Sequence, residues 1–167
     1  DDTVIILGDL GSGDIAKFLG SLHGKKQLII GNHDKAILKD PEVISCLQSI
    51  KQMSERTIET KDITPENKIR LSIPSPTPFI RLSLCHYPIW SFNYNCCYGV
   101  DFYGHIHTAY AENMVIHDAC INYANIKGKP MNMFNISASM PYIGYKPQIF
   151  DKIIEGASLF YDKIKRD

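Results

Sequence analysis

The sequence predicts an α/β fold in a single domain over residues 1–167, and three observations carry that prediction. The chain opens with an aliphatic run, an amphipathic segment and a second aliphatic run, which is strand–helix–strand order. Shorter strand-like runs fill the second half, and a long amphipathic segment closes it. At 44% hydrophobic and 22% charged residues, the composition is that of a chain with a packed core. Its 167 residues lie close to the usual size of one domain and fall short of two.

Thr3–Leu7 is a continuous β-branched and aliphatic run, as expected of a strand buried on both faces. It ends in Gly8-Asp9 and a glycine-rich turn. Asp14 then caps a short helix through Leu22, with Ile15, Phe18, Leu19 and Leu22 at helical spacing. Gln27–Ile30 is the second buried strand and ends in Gly31-Asn32-His33-Asp34. A strand, helix and strand in this order make a parallel pair with a right-handed crossover. Asp40-Pro41-Glu42 starts a further helix whose buried side is Val43, Ile44, Leu47 and Ile50. Strands are expected at Arg56–Thr60, Ile69–Ile73 and Ile80–Cys85, with Pro74, Pro76 and Pro78 forcing an extended loop before the last. Gly99–Tyr103 and Met133–Ala138 complete the strands. A closing helix runs from Gln148 to Lys165, with Ile149, Ile153, Ala157, Phe160 and Ile164 on one face and Gly156 as a point of interruption.

Charge and cysteine usage narrow the function classes. Eighteen Lys and Arg balance eighteen Asp and Glu, so composition gives no support to a nucleic-acid arm or a polybasic membrane anchor. The longest aliphatic run, Val4 to Leu7, is far below the ~20 residues that span a bilayer. Five cysteines without regular spacing, Cys46, Cys85, Cys96, Cys97 and Cys120, read as reduced thiols in a cytoplasmic protein. The chain opens on Asp1 rather than Met and enters a strand almost at once, so a longer natural chain is expected.

Four clusters stand at the ends of predicted strands: Gly8-Asp9, Gly31-Asn32-His33-Asp34, Cys85-His86 and Gly104-His105-Ile106-His107. In open α/β sheets ligands bind at the carboxyl ends of strands. Glycines there let the backbone turn sharply and aim the next side chain into a cleft. Asp, Asn and several His form a mixed oxygen and nitrogen set, suited to Mn, Fe or Zn ions rather than Ca. Each residue also has a plainer reading. Asp9 is either a ligand or a helix cap, although Asp14 already fits the cap. Asn32-His33-Asp34 is either a site or an ordinary turn, and His86 alone is a loop residue. His23 reads as a solvated turn residue, and His117 as a His–Asp pair or a pocket wall. Trp90, Tyr87, Tyr94 and Tyr98 either flank a substrate or pack in the core, and the area they bury makes the core their default. Lys127 and Lys129 read as a solvated loop.

The ordered series GD, GNHD, H and GHxH resembles the calcineurin-like metallophosphoesterase superfamily, in its small bacterial and phage type, over nearly the whole chain. The protein-phosphatase branch carries Asp-Arg-Gly after its GD motif, whereas Leu10-Gly11-Ser12-Gly13 stands here. The resemblance implies an α/β sandwich of two mixed sheets flanked by helices. It also implies two divalent metal ions (Mn, Fe or Zn) and hydrolysis of a small phosphomono- or phosphodiester. Asp9 would bridge the ions, Asn32, His86 and His105 would complete the second site, and His107 would bind the first. His33 would be the general acid, with Asp34 as an orienting neighbour. Two cations side by side polarise a phosphoryl group and acidify water, and the departing oxygen needs a proton donor.

The superfamily pattern begins with an Asp-x-His on a first strand, and no such motif precedes Asp9. The first strand is therefore expected to be missing from this chain, leaving the first metal only Asp9 and His107. The alternative is a catalytically degenerate interaction protein on the same fold, in the manner of the retromer scaffold subunit that resembles these enzymes. An intact His33 argues for the enzyme, because a scaffold has no use for a general acid.

Overall fold

The structure is a computed structural model and describes residues 2–95 and 97–164. Two sheets lie flanked by helices in a mixed α/β arrangement. The first sheet holds β1 (Thr3–Ile6), β2 (Lys25–Ile29) and β3 (Ser49–Lys51) in the order β1-β2-β3. The second holds β4 (Met53–Glu59), β5 (Phe79–Cys85), β6 (Val100–Tyr103) and β7 (Asn132–Asn135) in sequential order. All pairings in the first sheet are parallel, so it is not mixed, while β4 pairs antiparallel with β5 in an otherwise parallel second sheet.

Side-chain parity explains the layers. Ile5 and Leu7 pack toward a core shared with Ile80, Leu82 and Leu84 of β5 and Val100 and Phe102 of β6, between the sheets. Ile6 points the other way, to Ile15 and Leu19 of α1 (Ile15–Ser21) and Val43 of α2 (Pro41–Ser45). On the far side of the second sheet, Tyr103 and Met133 meet Cys120 of α4 (Tyr110–Lys127). The closing helix α5 (Phe150–Ile164) sends Ile153 and Ile154 into the central core, and its Tyr161 stacks on His117 of α4 at 4.1 Å.

Asp14 caps α1 as expected, accepting from the Lys17 N–H at 3.0 Å. Other expectations need correction. The helix starting at Pro41 stops at Ser45, and Ile50 lies in β3 rather than on its buried side. The segment read as a strand over Ile69–Ile73 is instead α3 (Pro65–Arg70) followed by a turn, and Ile69 is 78% exposed. Thr64 caps α3 and Pro65 opens it, a start signal stronger than the Ile69, Leu71, Ile73 alternation. The eighteen-residue α4 has no counterpart in the sequence reading. On α5, Ile149 precedes the helix and is exposed, and Gly156 does not interrupt it. Its expected last residue, Lys165, lies outside the described residues.

Cys46, Cys85 and Cys120 carry free thiols; Cys97 is exposed, and Cys96 lies outside the described residues. No helix among the described residues is long and apolar enough to cross a membrane.

Candidate metal centre

The loops after β1, β2, β5 and β6 meet at one end of the two sheets. Their approach is too close for side chains at the glycines. A Cβ on Gly8, whose φ is 80°, would stand 2.6 Å from the Gly31 Cα and 2.6 Å from His86 Nδ1. A Cβ on Gly31 would stand 2.6 Å from the Asp9 backbone nitrogen. Backbone against backbone is therefore the geometry that these turns require, and Asp9 itself adopts a φ of 53°.

Asp34 holds this junction together. It is fully buried, and its Oδ2 accepts from the N–H groups of Gly31 at 2.7 Å and Asp9 at 3.0 Å. Its Oδ1 accepts from Leu10 N–H at 2.9 Å. The carboxylate thus faces three backbone amides of two loops. Asp34, expected to orient His33, instead braces the loop that carries Asp9.

His86 lies at the centre and is 2% exposed. Its Nδ1–H donates to the Leu7 carbonyl at 2.7 Å, which leaves the Nε2 lone pair facing the cleft. Around Nε2 stand Asn32 Oδ1 at 3.0 Å, His105 Nδ1 at 3.1 Å and Asp9 Oδ2 at 3.4 Å. A proton on Nε2 would satisfy one of these three neighbours. A cation among them would satisfy all at once, and ligand atoms of Asp9, His86 and His105 lie within 4.8 Å of one another. Burial and the adjacent His86 ring hold the His105 imidazole below its ordinary pKa range, which outweighs the opposite pull of Asp9. Neutral imidazole is the form that binds metals. The donor set fits one divalent ion.

His107 stands apart from that group. Its φ is 51°, and its Nδ1 lies 3.5 Å from Ser137 Oγ. It lines, with Asp9 and His86, a groove of about 720 Å³ that runs along the outer edge of β1 toward Ile143 and Lys146. His33 is exposed, and its backbone N–H donates to Asp9 Oδ1 at 3.0 Å. Of the expected residues, Asp9, Asn32, His86 and His105 converge, His33 and His107 flank them, and Asp34 lies beneath.

Two features depart from the sequence expectation. Tyr87, for which core packing was the default over flanking a substrate, is 44% exposed, with its ring 4.7 Å from that of His105 and 5.0 Å from that of His86. Its place beside His86 in the chain was the available signal. Asn113 and Asn135, both buried, donate to the His107 carbonyl, and no motif marks either.

The chain is similar to the solved structure of a protein of unknown function, AQ665 from Aquifex aeolicus. The similarity covers 98% of this chain and 76% of that one, at 21% identity and a TM-score of 0.50. That likeness speaks to the fold alone. No family model and no curated protein matches the sequence.

Proposed function

We propose that the chain is a metal-dependent phosphoesterase acting on a small phosphomono- or phosphodiester. The convergence of Asp9, Asn32 and His105 on His86 Nε2 is the observation that carries this reading. One carboxylate, one amide oxygen and two imidazoles suit Mn, Fe or Zn. Bound there, a divalent ion supplies Lewis acidity toward a phosphoryl oxygen and acidifies water. The chain's own groups do the rest. Asp9 offsets the positive charge, and His86 keeps its tautomer through Leu7. The exposed His33 imidazole carries the proton for the departing oxygen. Replacing it, His33→Ala, is expected to lower turnover by ~10²–10⁴-fold and leave metal content unchanged. Metal loss in that variant, read by elemental analysis, would make His33 a ligand instead.

A second ion at Asp9 and His107 rests on the resemblance, with support only from their shared groove. Two ligands hold a cation weakly against water and buffer. The outer edge of β1 is where an Asp-x-His strand would pair, and a chain extended by a segment that carries one is expected to gain ion and turnover together. A second reading is an interaction protein on this fold.

Equilibration with Mn²⁺ or Zn²⁺, dialysis and elemental analysis test the proposal, followed by hydrolysis of p-nitrophenyl phosphate and its bis ester. About one equivalent of metal and slow turnover abolished by a chelator are expected. Substoichiometric metal would defeat the metal centre, and bound metal without turnover would favour the interaction protein.

A further inference from the structure

We infer that Asn113 and Asn135 are positioning residues for His107, together fixing the left-handed backbone that turns its imidazole into the groove. The two amides come from different elements, α4 and β7, and are 3% and 0% exposed. Every hydrogen of both side-chain NH2 groups has a partner. Asn135 Nδ2 donates to the His107 carbonyl at 2.7 Å and to Asn113 Oδ1 at 2.7 Å. Asn113 Nδ2 donates to the same carbonyl at 3.0 Å and to the Ala109 carbonyl at 2.8 Å. Asn135 Oδ1 in turn accepts from Ser137 N–H at 2.9 Å, which sets Ser137 beside the His107 ring.

One backbone carbonyl thus receives two buried donors, both lone pairs of its oxygen being used. Such a network tolerates no rotation of the His107 peptide without leaving buried N–H groups unpaired. A φ of 51° is uncommon for a residue with a side chain, and although histidine visits it more readily than most, it holds there only with support from its surroundings. The amide pair supplies that support. Relaxed to negative φ, the His107 ring would leave the line of the groove on which Asp9 and His86 open.

The inference rests on the metal reading only where it concerns ion binding, so the test has a metal-free arm. In isotopically labelled wild type, the Asn113 and Asn135 side-chain amides are expected to exchange at least about tenfold more slowly than those of Asn122 and Asn125, exposed on the same helix. Equal exchange would overturn the network, and this measurement needs no variant. In Asn113→Ala and Asn135→Asp, which lose donors to the carbonyl, His107 Cα and Cβ shifts are expected to move from left-handed toward ordinary values. Unchanged shifts in either folded variant would overturn the inference. With Zn²⁺ in excess of one equivalent, where the weak position at Asp9 and His107 fills, the His107 ring nitrogens are expected to respond in wild type, and about tenfold more weakly in the variants. His86 and His105 should respond alike in all three. A His107 ring silent in wild type would remove it from the metal set and leave the backbone shifts to decide its positioning.

Discussion

Asp34 shows how a single side chain can set a site that it does not face. Its three amide contacts tie Asp9, Leu10 and Gly31 into one unit. Asp34→Asn keeps the shape but puts an NH2 against at least one of those donors. A loss of ~2–4 kcal/mol is expected, since hydrogen bonds to charged groups are worth more than neutral ones and a buried donor is left unpaired. Urea denaturation measures the loss, and a Mn²⁺ titration should show ~10–100-fold weaker binding from the displaced Asp9. A second buried carboxyl, Asp101, behaves differently. It faces Ser83 across the β5–β6 pairing, accepts from Ile89 N–H at 3.3 Å, and burial raises its pKa from 3.8 to about 7. The folded chain therefore holds a proton that the unfolded chain has released, and stability falls as pH climbs from about 4 to about 7, then levels. Asp101→Asn removes that slope, so the variant should outmelt wild type at pH 8 and match it near pH 4; parallel slopes would assign the titration elsewhere. Asp9, Asn32 and His105 were legible in the sequence because each follows a glycine turn at a strand end, and His86 through its place between the GNHD and GHxH motifs. Asp34 was marked by its motif but with another role, and Asn113 and Asn135 were not marked at all, because all three act on backbone amides and carbonyls, which have no sequence signature.

Elements were legible where one periodicity stood alone. The strand β1, the helix α1 and the strand β5 each show a single pattern, and each formed nearly where expected. In α3 two signals competed, and the cap with its proline prevailed over alternation. In α4 the inward side contains buried Asn113 and half-buried His117, while Val115 and Ile126 face solvent, so its apolar residues ring the helix. Its first turn also lacks a side-chain cap, since Ala109 stands there. Gly156 gives the element scale its prediction. Ala is ordinarily better than Gly inside a helix by ~1 kcal/mol. Here a Cβ would come 2.6 Å from the Tyr142 Cβ, and the Tyr142 hydroxyl is tied to the Asn135 carbonyl. Gly156→Ala is expected to cost ~1–3 kcal/mol through overpacking. A gain in stability by urea denaturation would show that Tyr142 yields freely.

Across the whole molecule, the candidate ligands come from both sheets: Asp9 and Asn32 from the first, His86 and His105 from the second. An ion bound among them bridges the two halves of the sandwich and favours the folded chain by mass action. At a hundredfold excess over its dissociation constant it adds ~2.7 kcal/mol, or about 5–10 °C in melting temperature for a chain of this size. Calorimetry with and without Zn²⁺ measures this, and an unchanged midpoint would mean that no ion joins the sheets. The outer edge of β1 works in the opposite sense. No strand pairs with it among the described residues, and none of its four residues is fully buried, although Leu28 and Ile29 of its neighbour are. Its backbone groups remain a template for any extended chain. Folding of one chain is first order, whereas pairing of two edges is second order. Wherever that edge stands open, the balance between the two therefore turns on how many copies share the solution, and dilution favours folding.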